Sequence, residues 1–254
     1  MPAPPDFRLY HGNDLDLLAD LLASQLAVPE PGASVLEPET VLIPQPAMRR
    51  WLHKTLAEKH GIAANLRFLT PGEFVNQALS ANLAGDDAPV ANADTLRWRL
   101  WALLADEAVM KAPVFAPLQP VLAGPDRALA AWSLAGEMAA AFEKYQAWRR
   151  DWLLRWEAGA SPNDPQAILW RRIAGGEQYR ARRIDAYLAR FEGAGRPLPQ
   201  GLPARVFAFA TLNISPDVLR VMATQARVGT MHFYLPTPTQ AYWGDLQTLG
   251  EKLR

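Results

Sequence analysis

Apolar positions along the chain follow two rhythms. Five short runs rich in β-branched and aromatic residues read as strands: FRLYH (Phe7 to His11), TVLI (Thr40 to Ile43), LRFL (Leu66 to Leu69), RVFAFA (Arg205 to Ala210) and TMHFYL (Thr230 to Leu235). Helical periodicity separates most of them. Asp14 to Ala27 carries Leu15, Leu18, Leu21, Leu22 and Leu26 on one face, and Ala47 to His60 is entered through Pro46 as a first helical residue. Thr70, Pro71 and Glu73 have the spacing of a capping box, and Ser215 with Pro216 repeats the Ser-cap, Pro-start device. Strands alternating with helices predict parallel pairing with right-handed crossovers.

Between Phe74 and about Gly195 the strand rhythm stops. Helices are predicted over Asp94 to Lys111, Asp126 to Ala147, Asp151 to Ala158, Pro165 to Ile173 and Tyr179 to Phe191, and GRPLPQGLP (Gly195 to Pro203) is a return linker. The expected organisation is an α/β domain over residues 1–74 and 196–254, interrupted by an all-helical insertion over 75–195.

The stretch TVLIPQPAMRRWLHKTLAEKHG, Thr40 to Gly61, has the strand–loop–helix build with which a nucleotide-binding α/β domain opens. Phosphate transfer in such a domain needs backbone amides and a Lys at the β/γ-phosphates, plus a carboxylate for Mg²⁺. The loop after the first strand, HGNDLD, has one Gly and no Lys, and the five lysines (Lys54, Lys59, Lys111, Lys144, Lys252) lie away from any Gly-rich turn. The fourth run, VFAFATLN, ends without an acid. ATP hydrolysis is therefore not expected.

Composition narrows the remaining classes. Half of the 254 residues are apolar, which predicts a globular chain, and Lys+Arg balances Asp+Glu at 26 each, so no overall basic field advertises nucleic acid. Only five of those cations are lysines; a coding bias that also raises Ala is the commoner cause of such an Arg excess. The absence of Cys removes disulfides, thiol catalysis and Cys-ligated zinc. His11, His53, His60 and His232 have no acidic pair at ligand spacing, no G-x-S-x-G elbow occurs, and no strand end gathers the acids of a nuclease. No cofactor or metal is expected. The N-terminus lacks the basic and apolar regions of a signal peptide and no run is apolar enough to span a membrane, which predicts a soluble, cytoplasmic protein.

Aromatic residues are the more informative class. In YQAWRRDWLLRWE, Tyr145, Trp148, Trp152 and Trp156 interleave with Arg149, Arg150 and Arg155. Arg with aromatic rings can clamp single-stranded bases. The simpler expectation is that Trp148, Trp152 and Trp156, at i, i+4, i+8, form a buried stripe with the arginines facing solvent.

Taken together, LYHGNDLDLL, MRRWLHKTLAEKHGIAANLRF, YQAWRRDWLLRWE, GLPARVFAFATLNISPDVL and AYWGD resemble, in order and over essentially the whole chain, the N-terminal part of the gamma chain of exodeoxyribonuclease V, the RecC family. Family members are several times longer, so the chain reads as an N-terminal portion. The resemblance implies a superfamily 1 helicase-like, P-loop-NTPase-like parallel α/β fold, inactivated, with an all-helical insertion. It implies a non-catalytic subunit that guides DNA and scans one strand for the Chi hotspot, beside RecB-like and RecD-like partners and on single-stranded and forked DNA. The hotspot-scanning residues it implies are Arg149, Arg50, Glu143, Lys144, Thr70 and Asn76. Arg149 keeps the family's residue and Glu143 keeps an acid, whereas Pro44, Pro46, Arg50, Thr70, Asn76, Ala140, Ala141 and Lys144 differ from the family's hotspot reader, which implies that another sequence, or none, is read. The competing expectation is a protein-interaction scaffold that docks the motor subunits without touching DNA.

Overall fold

A computed structural model describes residues 6–30, 32, 34, 36–83, 91–175 and 178–238. The AYWGD match, Ala241 to Asp245, lies outside them. The chain divides into two compact units, one formed by residues 1–78, 198–214 and 221–254, the other by 79–197 and 215–220.

In the first unit, β1 (Asp6–Gly12), β2 (Glu39–Leu42), β3 (Leu66–Leu69), β4 (Arg205–Phe209) and β5 (Thr230–Pro236) form one sheet in the order β1-β5-β4-β2-β3, every pairing parallel. Each strand stands where its apolar run predicts it, and β4 is buried at all five positions, as a strand covered on both faces must be. The helix α1 (Leu15–Leu26) follows β1 and α2 (Pro46–His60) follows β2. Against them pack Val41, Ile43, Phe207, Phe209 and Tyr234 from one face of the sheet.

The buried stripe of α1 differs from its leucine spacing. Leu18, Ala19, Leu22 and Ala23 are buried, while Leu21 is 39% exposed. Small alanines let the helix approach the sheet closely and shift the buried face off Leu21.

Arg205, at the start of β4, is 7% exposed and pairs with Glu39 and Glu30, while its Nη1 donates to the carbonyls of Gln25 and Val28. Its charge is thus compensated and its donors are used, as a buried guanidinium requires. Gly229 precedes β5 where a Cβ would lie 1.9 Å from the carbonyl oxygen of Ala204, so only glycine lets the two strands enter the sheet together. His232 on β5 is buried, its ring 4.8 Å from that of Phe207. Burial, helped by the positive charges of Arg8 and Arg205, pushes its pKa down to about 4.

The second unit contains α4 (Ala93–Ala105), α5 (Glu107–Met110), α6 (Gln119–Leu122), α7 (Arg127–Trp148), α8 (Arg150–Glu157), α9 (Pro165–Ala174) and α10 (Arg180–Phe191). No strand occurs among the described residues between 75 and 195. The helix expected over Asp94 to Lys111 is two, because Asp106 leaves helical geometry (ψ 106°) and its carboxylate caps the amides of Ala108 and Val109. A 3₁₀ turn at Pro113–Leu118 and α6 lie in a Pro-punctuated stretch too short for periodicity to register. Trp170 is fully buried, edge-on to Phe142 (5.2 Å) and Tyr179 (5.0 Å).

A last helix, α11 (Pro216–Ala223), lies between β4 and β5 in sequence. The Ser215 cap is not formed through the side chain. Its hydroxyl is buried without a hydrogen-bond partner among the described residues, and only its carbonyl enters the helix, accepting from Leu219.

Candidate nucleic-acid interface

The parallel sheet gathers the carboxyl ends of its strands on one edge, the edge at which open α/β sheets take ligands. The loop after β1 reaches α1 through Asp14, whose carboxylate accepts from the amides of Asp16 (2.9 Å) and Leu17 (3.1 Å). These are the free amides that a phosphate would use. A phosphate there would meet a carboxylate of its own sign, with no Lys in the loop to offset it. At the end of β4 the chain turns through Ala210, held at φ 54°, into Thr211 and Leu212.

Among the implied site residues of this unit, Thr70 forms the expected capping box at the start of α3 (Pro71–Asn82). Its amide and hydroxyl donate to Glu73 Oε2 at 2.6 and 2.9 Å, and the Glu73 amide donates back to Thr70 Oγ1 at 3.2 Å. These bonds, the backbone one first, lower the pKa of the Glu73 carboxyl. The Thr70 hydroxyl is therefore committed locally. Asn76 is exposed one turn further along α3. Arg50 is exposed in the second turn of α2 and makes no ion pair with a described residue; its neighbour Arg49 is the one that lies over Phe68 of β3, at 5.7 Å.

Glu143, Lys144 and Arg149 belong to the second unit and share α7 or its end. Glu143 is half-buried, accepts from Gln146 Nε2 at 3.1 Å and faces Arg180. Burial raises its pKa, opposed by Arg180 and that hydrogen bond; burial conversely lowers the pKa of Arg180. Lys144 is exposed. Arg149 is not on a continuous helix. At φ −141° and ψ 40° it closes α7 and opens α8, its amide donating to Tyr145 and its carbonyl accepting from Trp152.

That break overturns the buried Trp stripe. Trp148 is 44% exposed and Trp152 39%, and only Trp156, at 7%, enters the core. No Pro or Gly marks the bend. It goes with Leu153 and Trp156 entering the core and with the bonding of Arg150, whose side chain is 13% exposed and pairs with Asp185 at 3.1 Å and Asp217 at 3.2 Å. Arg150 is thereby a structural residue. Arg149 is the reverse: exposed, donating only to the carbonyl of Trp148, its guanidinium 5.5 Å from the Trp152 ring. Asp151, the acid nearest Arg149 in sequence, is paired with Arg155 at 2.9 Å.

Two features escape the sequence reading. The GASPND turn, Gly159 to Asp164, folds beside Trp152 and Trp156 to leave a cleft of about 290 Å³, signalled in sequence only by its turn residues. On α4 and α7, Trp98 (58% exposed), Trp101 and Trp132 lie close together, with the Arg97 guanidinium 3.9 Å from the Trp132 ring; Leu129, 66% exposed, stands on α7 three residues before Trp132. Another cavity, about 420 Å³, lies at the opposite, amino edge of the sheet. It is lined in part by Ile62, Asn65 and Arg205, and that cation is already spent on Glu39 and Glu30.

Residues 7–254 match the family model described as RecC, N-terminal domain. Over 254 residues the chain is 28% identical to the RecBCD enzyme subunit RecC of Escherichia coli K12, covering 94% of this chain and 22% of that one. The corresponding subunit of Haemophilus influenzae is 26% identical over 279 residues, covering 96% and 24%. That of Mycolicibacterium smegmatis is 27% identical over 257 residues, covering 95% and 22%. The chain thus spans less than a quarter of the length of these relatives.

Proposed function

The chain belongs to the RecC N-terminal domain family, and on that premise we propose that it is the non-catalytic, DNA-guiding and Chi-type hotspot-scanning part of an ATP-dependent helicase–nuclease. The relatives' name, RecBCD enzyme subunit RecC, supports RecB-like and RecD-like partners; a place in double-strand-break repair by homologous recombination and a cytoplasmic setting belong to the same proposal. No helix among the described residues is long and apolar enough to cross a membrane. We assign residues 1–74 and 196–254 to an inactivated superfamily 1 helicase-like motor domain and 75–195 to its helical insertion. Support comes from the all-parallel sheet with a helix directly after β1.

The observation that carries the reading is Asp14. A helicase motor binds phosphate at the helix after its first strand, and here the amides of that helix are filled by the chain's own carboxylate. Titration calorimetry with ATP and Mg²⁺ should give no binding heat; micromolar affinity would restore an active NTPase. For DNA, the expectation rests on Arg149, exposed and without a carboxylate partner among the described residues. In the assembled heterotrimer Arg149→Ala should change the hotspot response and leave unwinding and assembly intact.

A second reading, a docking scaffold without DNA contact, is favoured by the exposed Trp98 and Leu129. Apolar patches of this kind mark protein interfaces. Affinity for single-stranded DNA that falls with rising salt would exclude it, since displacement of counterions from phosphate produces that dependence.

A further inference from the structure

The cleft beside Trp152 has the parts of a base-binding site. Its floor is aromatic: the Trp152 and Trp156 rings lie 6.4 Å apart at 42°, with Tyr145 against both at 5.7 and 6.0 Å. Tyr145 is itself held, its hydroxyl donating to Gln166 Oε1 at 3.1 Å. The far wall is fixed as well. Arg171 Nη1 donates to the carbonyls of Trp156 and Ala160, both at 2.9 Å, and Asp164 caps α9 through the Gln166 amide at 2.8 Å. Ser161 is held at φ 54°, a left-handed geometry that a residue with a Cβ keeps only when its surroundings impose it. At about 290 Å³ the cleft is at the small end of ligand pockets (roughly 300–1,000 Å³), suited to one planar base and not to a folded segment.

Charge separates a nucleic-acid occupant from a protein one. Near the other exposed aromatic group, Arg97 donates to the Trp132 carbonyl and Arg127 to that of Leu104. Around the cleft the cations are less committed. Arg149, beside Trp152, has no carboxylate partner among the described residues, and Arg155 at the lip is held by Asp151 in a pair about two-thirds exposed. A π-face beside uncommitted cations is the combination that binds single strands without reading sequence.

We propose that this cleft receives one unstacked nucleobase of single-stranded DNA, with Trp152 supplying the stacking face and Arg149 contacting a flanking phosphate. The proposal rests on the DNA reading above and adds a subsite to it. The test is anisotropy titration of the 254-residue chain at low salt, with labelled oligo(dT) and an abasic oligonucleotide of equal length and charge. Stacking on one aromatic side chain predicts that Trp152→Ala weakens oligo(dT) binding about 5- to 100-fold. Trp152→Phe, which keeps a ring, should recover most of it, and wild-type protein should bind the abasic strand no better than Trp152→Ala binds oligo(dT). Trp152 packs on Tyr145 and Trp156, so the alanine variant should melt somewhat earlier than wild type; the phenylalanine variant and the abasic strand decide independently of that loss. Salt-dependent binding that is equal for wild type, Trp152→Ala and the abasic strand would overturn the cleft and leave the DNA reading standing. No binding of either strand by wild type would overturn both.

Discussion

Two adjacent arginines offer the sharpest test of which side chains hold this protein together and which are left for a partner. Arg150→Ala removes a guanidinium bonded to Asp185 and Asp217, with the arginine 13% and Asp217 15% exposed. Leaving a buried charge wholly unpaired costs about 3–5 kcal/mol. Here the loss is smaller for two reasons. Asp217 keeps Arg220 at 3.1 Å, and Asp185 is half exposed and can return to water. Adding the lost packing of the arginine stem gives about 2–3 kcal/mol, or roughly 5–10 °C in melting temperature for a chain of this size. Arg149→Ala removes one bond to an exposed carbonyl and one cation–π contact, at most about 1 kcal/mol. Urea denaturation followed by circular dichroism, with thermal melts alongside, measures both. If Arg150→Ala lies within 0.5 kcal/mol (about the size of an ordinary surface substitution) of wild type, or Arg149→Ala costs as much as Arg150→Ala, the division between structural and available arginine is wrong.

Three further outcomes follow from unit one. Gly229→Ala should cost several kcal/mol (roughly 3 or more, in the range of severe core overpacking), because its Cβ would collide with the Ala204 carbonyl; loss of soluble expression or a collapsed urea midpoint is the expected reading. His232 stays neutral in the folded state down to about pH 4 while the unfolded chain takes up its proton near pH 6.5, so stability is full above 6.5, declines between 6.5 and 4, and is lower by up to about 3 kcal/mol below that. Urea midpoints across that range should flatten in His232→Leu; an unchanged slope would assign the dependence to other groups. Ala210→Gly should raise stability by about 0.5 kcal/mol, since relief of the left-handed φ of 54° (about 1–2 kcal/mol) exceeds the added freedom of the unfolded chain (about 0.4–1 kcal/mol), as a shifted urea midpoint would record.

What could be read from the residues alone was what nearest neighbours decide. The five strands, the Pro46 entry to α2 and the Thr70–Glu73 box are set by side chains within four positions of one another, and each stands where its pattern predicts. The implied site residues were legible as types: an exposed Arg149, an acid at Glu143, a cap at Thr70. Their circumstances were not. Placing β5 between β1 and β4 joins segments more than two hundred residues apart, and no local signal encodes that order. The break at Arg149 falls between the two helices predicted on either side of it, but the i, i+4, i+8 spacing of Trp148, Trp152 and Trp156 did not tell that only Trp156 is buried, nor that carboxylates on α10 and α11 pair with Arg150. Ala19 displaced Leu21 from the buried face of α1, and Ser215 was buried before its hydroxyl could cap. Local sequence set which backbone conformations were favourable. Burial and pairing between distant segments, worth several times more per residue than propensity differences, chose the faces, the bend and the partners.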